Sequence, residues 1–215
     1  MSAAPGTRPV LPDGLVVVVK EECETCRMVA PLLARFECTV YTQDDPSFPH
    51  SVSPVHDADL SVSWHHDIET VPTLIKVMNG IEIDRTVGWS RAEWQRITGL
   101  AGLGDDLPVM RPGCGSLSVD PDLEDVLRAR FAGHLLKARR IELADLDDEM
   151  EAMFDRGFTD GLPVVPPTEE RVMRMLTGTT RAPDEVVAVV PPDLVEVTVE
   201  KIAINAVMAG CRPEY

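Results

Sequence analysis

Leu15-Val16-Val17-Val18-Val19 is an unbroken block of strand formers bounded by Gly14 and Lys20, and the chain reaches Cys23-Glu24-Thr25-Cys26 almost at once. An apolar run this short, with no polar alternation, reads as a central strand buried on both faces. From Cys26 onward, Met28, Val29, Leu32, Leu33 and Phe36 recur at steps of three and four, which is a helix with one apolar face. Pro31 falls inside that pattern and is expected to kink it. A buried strand feeding a helix commits the chain to an α/β fold and sets two cysteines at the corner between them. At this point Cys23 and Cys26 are open to three readings: a redox pair, a metal clamp or an inert structural pair.

The rest of the first hundred residues keeps the same grammar. Residues 38 to 42, Cys-Thr-Val-Tyr-Thr, read as a second strand, and the stretch from Gln43 to Asp67 is a polar, proline-rich loop that carries histidines. Residues 72 to 78 and 81 to 87 flank Asn79-Gly80, a pair that supplies the positive φ angles of a two-residue hairpin turn. Ser90 followed by Glu93 predicts a capped helix over the next turns.

Charge and cysteine usage narrow the setting. Twenty Lys and Arg stand against 36 Asp and Glu, a formal net charge of −16, which repels phosphate backbones and anionic lipid. Nucleic acid and membrane surfaces are therefore excluded as expected partners. Apolar runs stay well under the roughly 20 residues that span a bilayer, and the opening residues lack a basic segment followed by an apolar one. Cysteines 23, 26, 38, 114 and 211 form an odd, sparse set, unlike a secreted disulfide framework, so a reducing cytoplasmic location is expected.

The order strand, Cys-x-x-Cys, helix, strand, long connection, Thr70-Val71-Pro72-Thr73, hairpin, helix resembles the thioredoxin fold over about residues 12 to 100. The resemblance implies a central mixed sheet flanked by helices. It also implies a cis Pro72 whose loop lies against the cysteines, with Val71 and Pro72 contacting substrate, Cys23 as nucleophile, Cys26 as resolving thiol and no cofactor. The chain departs from the family pattern in lacking Trp-Cys-Gly-Pro-Cys and in placing an apolar Val17 where a buried acid is common. Glu21, Glu22 and Glu24 disfavour a thiolate at Cys23 while Arg27 opposes them, which predicts a sluggish nucleophile and a reducing pair. A rival metal reading combines the two cysteines with His65 and His66 into a Cys2His2 zinc set, although the spacing lies far outside compact zinc-binding patterns. Solvated loop positions are the favoured account of these two histidines, and of His50, His56 and His134. Cys38 reads as a buried, inert thiol.

Residues 101 to 122 hold four glycines and three prolines without sustained period, as a linker or functional loop does. Cys114 lies there between two glycines, near Arg111 and Ser116, as a chance linker cysteine or a second reactive thiol. Residues 123 to 215 read as a helix-rich, partial α+β segment. Helices are expected over 121 to 131, over 143 to 158 with Leu146, Met150, Met153 and Phe154 as core filler, and after Thr168 with Val172, Met175 and Leu176 inward. A short buried strand is expected over 186 to 190, and a final helix from Thr198 to Gly210. The stretches Asp-Gly-Leu-Pro-Val-Val-Pro-Pro-Thr (160 to 168) and 199 to 215 are similar to the N-terminal part of an uncharacterised bacterial family, some of whose proteins carry a Gly-Ser-flanked cysteine or selenocysteine. Chains of that kind continue past the Arg-Pro-Glu-Tyr at 212 to 215, which implies a separate subunit or a shortened chain. The final helix is apolar nearly all round, so it calls for a protein partner that completes the segment in a hetero-oligomer. Glu200, Asn205 and Cys211 are either part of a shared site or a polar stripe on a core helix.

Two functional readings follow. In one, the chain is a thiol–disulfide oxidoreductase module using Cys23 and Cys26 to reduce or exchange disulfides at a cysteine site, Cys114 or Cys211, on this chain or a partner. In the other, it is a non-catalytic assembly subunit of a larger enzyme, with the thioredoxin-like part as a docking scaffold.

Overall fold

The computed structural model describes residues 8–132, 135–143 and 148–215. The chain divides into two compact units, Met1–Glu124 and Asp125–Tyr215.

The first unit is built on β1 (Gly14–Val19). Val16 to Val19 are wholly buried, as the unbroken apolar run requires of a strand covered on both faces. On one side β1 pairs in parallel with β2 (Thr39–Thr42), Val16 opposite Thr39 and Val19 opposite Thr42. β2 in turn pairs in parallel with the short β3 (Val55–His56). The parallel step from β1 to β2 is made through α1 (Glu24–Val29) and a 3-10 helix (Ala30–Arg35). The change of helix type falls at Pro31, whose missing N–H cannot continue the α-helical ladder, so the expected kink is a switch to the tighter helix. A short α2 (Ser61–His65) precedes β4 (Thr70–Val71).

The other side of β1 meets β5 (Thr73–Met78) in antiparallel register, Val16 opposite Ile75, and β5 pairs with β6 (Ile81–Val87). Asn79 and Gly80 adopt φ of 56° and 72°, the left-handed pair that a two-residue hairpin needs. The result is a five-stranded mixed sheet ordered β3-β2-β1-β5-β6, flanked by helices.

Beyond the sheet come β7 (Trp89–Ser90) and α3 (Arg91–Thr98). The expected capping box at Ser90 and Glu93 does not form. Ser90 is held in β7 by pairing with Met110, the Arg91 N–H goes to the Val109 carbonyl at 2.9 Å, and Glu93 pairs with Arg96 at 2.8 Å. A backbone acceptor from a later segment thus takes the role the Ser90 side chain was expected to play. Trp89 and Trp94 pack against each other with their rings tilted by 57° and centroids 5.3 Å apart. Their indole N–H groups donate to the carbonyls of Pro108, at 2.7 Å, and Gly88, at 3.0 Å. Residues 101 to 122 therefore belong to the first unit and not to a connection between units. They form β8 (Met110–Arg111), β9 (Cys114–Gly115) and a 3-10 turn (Leu117–Val119).

From α4 (Pro121–Ala132) the chain runs into the second unit. There α5 (Glu149–Asp155), capped by the Asp148 carboxylate, is shorter than expected and buries none of its residues. Met150 and Phe154 are exposed and do not act as core filler; Leu146 and His134 lie outside the described residues. Thr168 caps α6 (Glu169–Leu176) as expected. The small core joins Val172 and Met173 of α6 to Leu136 and to Ala203 and Val207 of α7 (Val199–Met208). β10 (Val186–Val190) is not buried. It pairs only with β11 (Val195–Thr198), and all five of its residues are exposed, because this unit supplies no described element to cover the hairpin. Glu200 is buried and accepts the N–H groups of Lys137 and Ala138 at 3.0 and 2.8 Å, Asn205 donates to the Lys201 carbonyl, and Cys211 is exposed. Glu200 and Asn205 thus each have hydrogen-bond partners of their own.

Replacing Trp94, fully buried and hydrogen-bonded, by Ala is expected to lower stability by about 3–5 kcal/mol, read as a lower denaturant midpoint with an unchanged slope.

Candidate functional site

The corner between β1 and α1 is shaped before any sulfur enters it. Asp44, just past the end of β2, accepts the N–H groups of Glu21 and Glu22 at 2.7 and 3.0 Å, pinning the turn that delivers Cys23. Burial raises the Asp44 carboxyl, yet the amides of Glu21, Glu22 and Asp45 outweigh it and hold the group below its usual range. Cys23 then takes the N-cap position of α1, and its Sγ accepts the Cys26 N–H at 3.4 Å. Cys26 lies one turn on, with its side chain against that of Cys23. Both thiols are free, and both are 0% exposed.

The opposite wall is the Val71-Pro72 bend. The Val71–Pro72 peptide is cis, and the Cys23 thiol donates to the Val71 carbonyl at 3.4 Å. Across this bend lies a third sulfur. β9 pairs antiparallel with β4, Val71 opposite Cys114 and Thr70 opposite Gly115, which brings the Cys114 side chain close enough to Cys23 to influence its titration. Cys114 is only partly buried. The expected site residues Cys23, Cys26, Val71, Pro72 and Cys114 therefore meet in one place, whereas Cys211 belongs to the second unit.

The segment that brings Cys114 here is tied down along its length. Arg111 in β8 pairs with Trp89 in β7, and its guanidinium forms an ion pair with Glu24. The Thr25 hydroxyl, buried, donates to the Pro112 carbonyl at 2.7 Å. Gly113 lies flush against the bend: a Cβ there would fall 2.5 Å from both Thr70 Cγ2 and the Val71 oxygen. Gly88 takes φ of 66° on the other side, and its Cβ would meet the Gly113 nitrogen at 2.8 Å. At the far end the buried Gln43 amide donates to Ser116 Oγ at 2.6 Å and to Ser63 Oγ at 2.7 Å, and accepts from the Leu117 N–H at 3.1 Å. Sequence reasoning missed Gln43, Asp44 and Thr25. The available signal was an amide and a carboxylate directly after a strand end, where chains in α/β sheets gather their functional groups.

The three sulfurs titrate apart. The Cys26 side chain lowers Cys23, burial opposes it, and the Cys114 side chain with the backbone N–H groups of Cys26 and Thr25 completes a net fall to about 5. The Val71 carbonyl, an acceptor, works against the thiolate, but the donors on the other sides prevail. Burial drives Cys26 far upward, and the neighbouring Cys23 adds to it. Burial and the Cys23 thiolate also raise Cys114. The glutamates were expected to disfavour the Cys23 thiolate, whereas the surroundings hold this thiol below its usual range. Glu21 pairs with Arg27 at 3.2 Å and Glu24 with Arg111, while the thiolate collects hydrogen bonds that the sequence did not reveal.

The remaining candidates lie elsewhere. His66 is buried, bonded to the Pro9 carbonyl at 2.8 Å and to Arg8, and burial lowers its pKa. Among the described residues no three His, Cys, Asp or Glu side chains gather in a metal-holding group. Cys38 is half-buried, and burial raises its thiol to about 11. No helix among the described residues is long and apolar enough to cross a membrane. The chain matches no family model, and a comparison with curated proteins finds no match either.

Ultraviolet titration of thiolate is expected to show one step near pH 5 that is absent from Cys23→Ser and moves upward in Cys114→Ala. The folded pKa of Cys23 lies below its unfolded value of about 8.5, so its contribution to stability is full above that value, and disappears as pH falls through about 5. Cys26 acts in the opposite sense, because its raised pKa removes stability as pH climbs above the unfolded thiol range. Denaturant midpoints for the reduced protein should therefore rise between these two pH values, and Cys23→Ser should flatten that rise.

Proposed function

We propose that the first unit is a thioredoxin-like thiol–disulfide exchange module in which Cys23 and Cys26 form the working pair and Cys114, on the same chain, is the thiol they exchange with. The observation that carries this reading is the meeting of three free cysteines at one bend, with only the middle one held as thiolate. The parallel β1-α1-β2 step, the antiparallel β5-β6 hairpin and the cis Val71–Pro72 bend beside the cysteines support the fold assignment.

Thiolate is the attacking form, so Cys23 is the nucleophile near neutral pH. It attacks the Cys114 sulfur of a disulfide formed there and displaces the group that Cys114 carried. Cys26 then gives up its proton and attacks Cys23 Sγ, closing Cys23–Cys26 and releasing Cys114 as thiolate, which takes the proton. Stabilising the Cys23 thiolate favours the reduced pair, so the pair accepts electrons more readily than the glutamate-rich sequence suggested. Its potential is tuned by the same hydrogen bonds that lower the thiol.

A second reading, a protein partner for the second unit, is favoured by a separate observation: β10 and β11 leave Val186, Val187, Val189, Val190, Leu194 and Val195 exposed on a lone hairpin, and isolated two-stranded hairpins are marginal in water. In that reading the thiols are idle and the chain serves assembly.

Cys26→Ser, mildly oxidised, is expected to accumulate a Cys23–Cys114 disulfide visible in peptide mass maps, while the wild type proceeds to Cys23–Cys26. Absence of the Cys23–Cys114 link in the folded variant would remove Cys114 as the thiol with which the pair exchanges.

A further inference from the structure

We propose that residues 110–116 form a fixed strap that closes the thiol pair to protein disulfides and admits low-molecular-weight disulfides, with Cys114 as the residue they meet. This rests on the exchange reading above and specifies its substrate class.

The argument is one of access. Cys23 and Cys26 have no exposed surface, whereas Cys114 keeps part of its own. A protein segment that presents a disulfide to Cys23 would approach by pairing with the backbone of β4, the strand that leads into the bend beside this thiol. Here β9 already pairs with β4, with Cys114 opposite Val71, and the Ser116 N–H extends the pairing to Glu69 at 2.9 Å. Removing the strap would cost its pairing with β7, the Thr25–Pro112 and Gln43–Ser116 hydrogen bonds and the Glu24–Arg111 ion pair together. Gly113 makes this close fit possible, since no side chain can occupy its position without displacing the strap from the bend.

The thiols behind the strap supply a balanced path. Cys114 attacks one sulfur of a small disulfide RS–SR as its proton passes to the adjacent Cys23 thiolate; Cys114–S–S–R forms and RS⁻ leaves, taking that proton from Cys23. The restored Cys23 thiolate attacks Cys114 Sγ and expels the second RS⁻. Cys26 then attacks Cys23, its proton going to Cys114, and solvent protonates the second RS⁻. Two electrons pass from the Cys23–Cys26 pair to RS–SR, giving two RSH.

The full chain, reduced, is reacted with oxidised glutathione and, separately, with insulin, and protein disulfides are mapped by mass. Wild type is expected to react with oxidised glutathione and to leave insulin disulfides intact. Cys114→Ser, which retains the strap, should react with oxidised glutathione about 100-fold more slowly, since its buried pair has lost its entry point. Gly113→Val, which forces the strap away, should gain insulin reduction, and Arg111→Glu, which sets like charges against Glu24, should do so to a smaller degree without a packing clash. Circular dichroism of each variant identifies any that has lost its fold. Insulin reduced by wild type as fast as oxidised glutathione, or a Cys114→Ser rate equal to wild type, overturns the strap proposal while leaving exchange intact. No exchange with either disulfide, together with no Cys23–Cys114 link in Cys26→Ser, overturns the exchange reading and this proposal with it.

Discussion

The pairing of Val71 with Cys114 is the contact on which the site depends. It places a sulfur from one segment over a sulfur at the start of α1, and it consumes the edge of β4 in doing so. Everything nearby accommodates it. Gly113 and Gly88 remove the side chains that would hold the backbones apart, and Thr25, although it is one of the two residues between the cysteines, spends its hydroxyl on the strap. The dipeptide inside a Cys-x-x-Cys pair usually matters for the electrostatics of the first thiol; here Thr25 also ties the helix start to the third cysteine through Pro112.

That tie changes how the acidic surroundings act. Three glutamates next to a thiol would ordinarily disfavour its ionisation. Two of them are matched by arginines, and one of these, Arg111, arrives on the strap itself. The same segment therefore cancels a nearby negative charge and contributes a hydrogen-bond donor to the Cys23 thiolate. Opening the strap would remove both effects together, so access to Cys23 and the readiness of Cys23 to ionise are opposed within one structural element.

Much of the first unit was legible in the sequence because its signals are local. A run of five apolar residues, a proline inside a helical period and Asn79-Gly80 between alternating segments each act within a few residues, and each appears where expected. The Cys-x-x-Cys corner and the Val71-Pro72 bend were likewise marked as site residues, and they meet. What joins Cys114 to them is long-range pairing of two-residue strands, and so short a strand carries no periodicity. The capping box at Ser90 failed for a related reason, since a distant carbonyl, Val109, reached the helix N-terminus first. In the second unit the strand at Val186–Val190 was recognisable by its residue types, but burial depends on what lies over a strand, and its own sequence does not encode that cover.

The three thiols also impose an order of events. Cys26 is held protonated by burial and by the thiolate beside it and, unlike Cys114, has no exposed surface, so in the proposed exchange it would not act first. Once Cys23 enters a disulfide its negative charge is gone, and with it the part of the Cys26 shift that the charge caused; the resolving thiol becomes more acidic at the step that needs it. Cys114 responds to the same event, because its own elevation includes the Cys23 charge, and a more acidic Cys114 is a better leaving group from Cys23–Cys114. In the proposed exchange, one thiolate shared among three sulfurs would thus suppress both neighbours while it exists and release both when it reacts, which favours Cys23–Cys26 closure over a trapped Cys23–Cys114 bond.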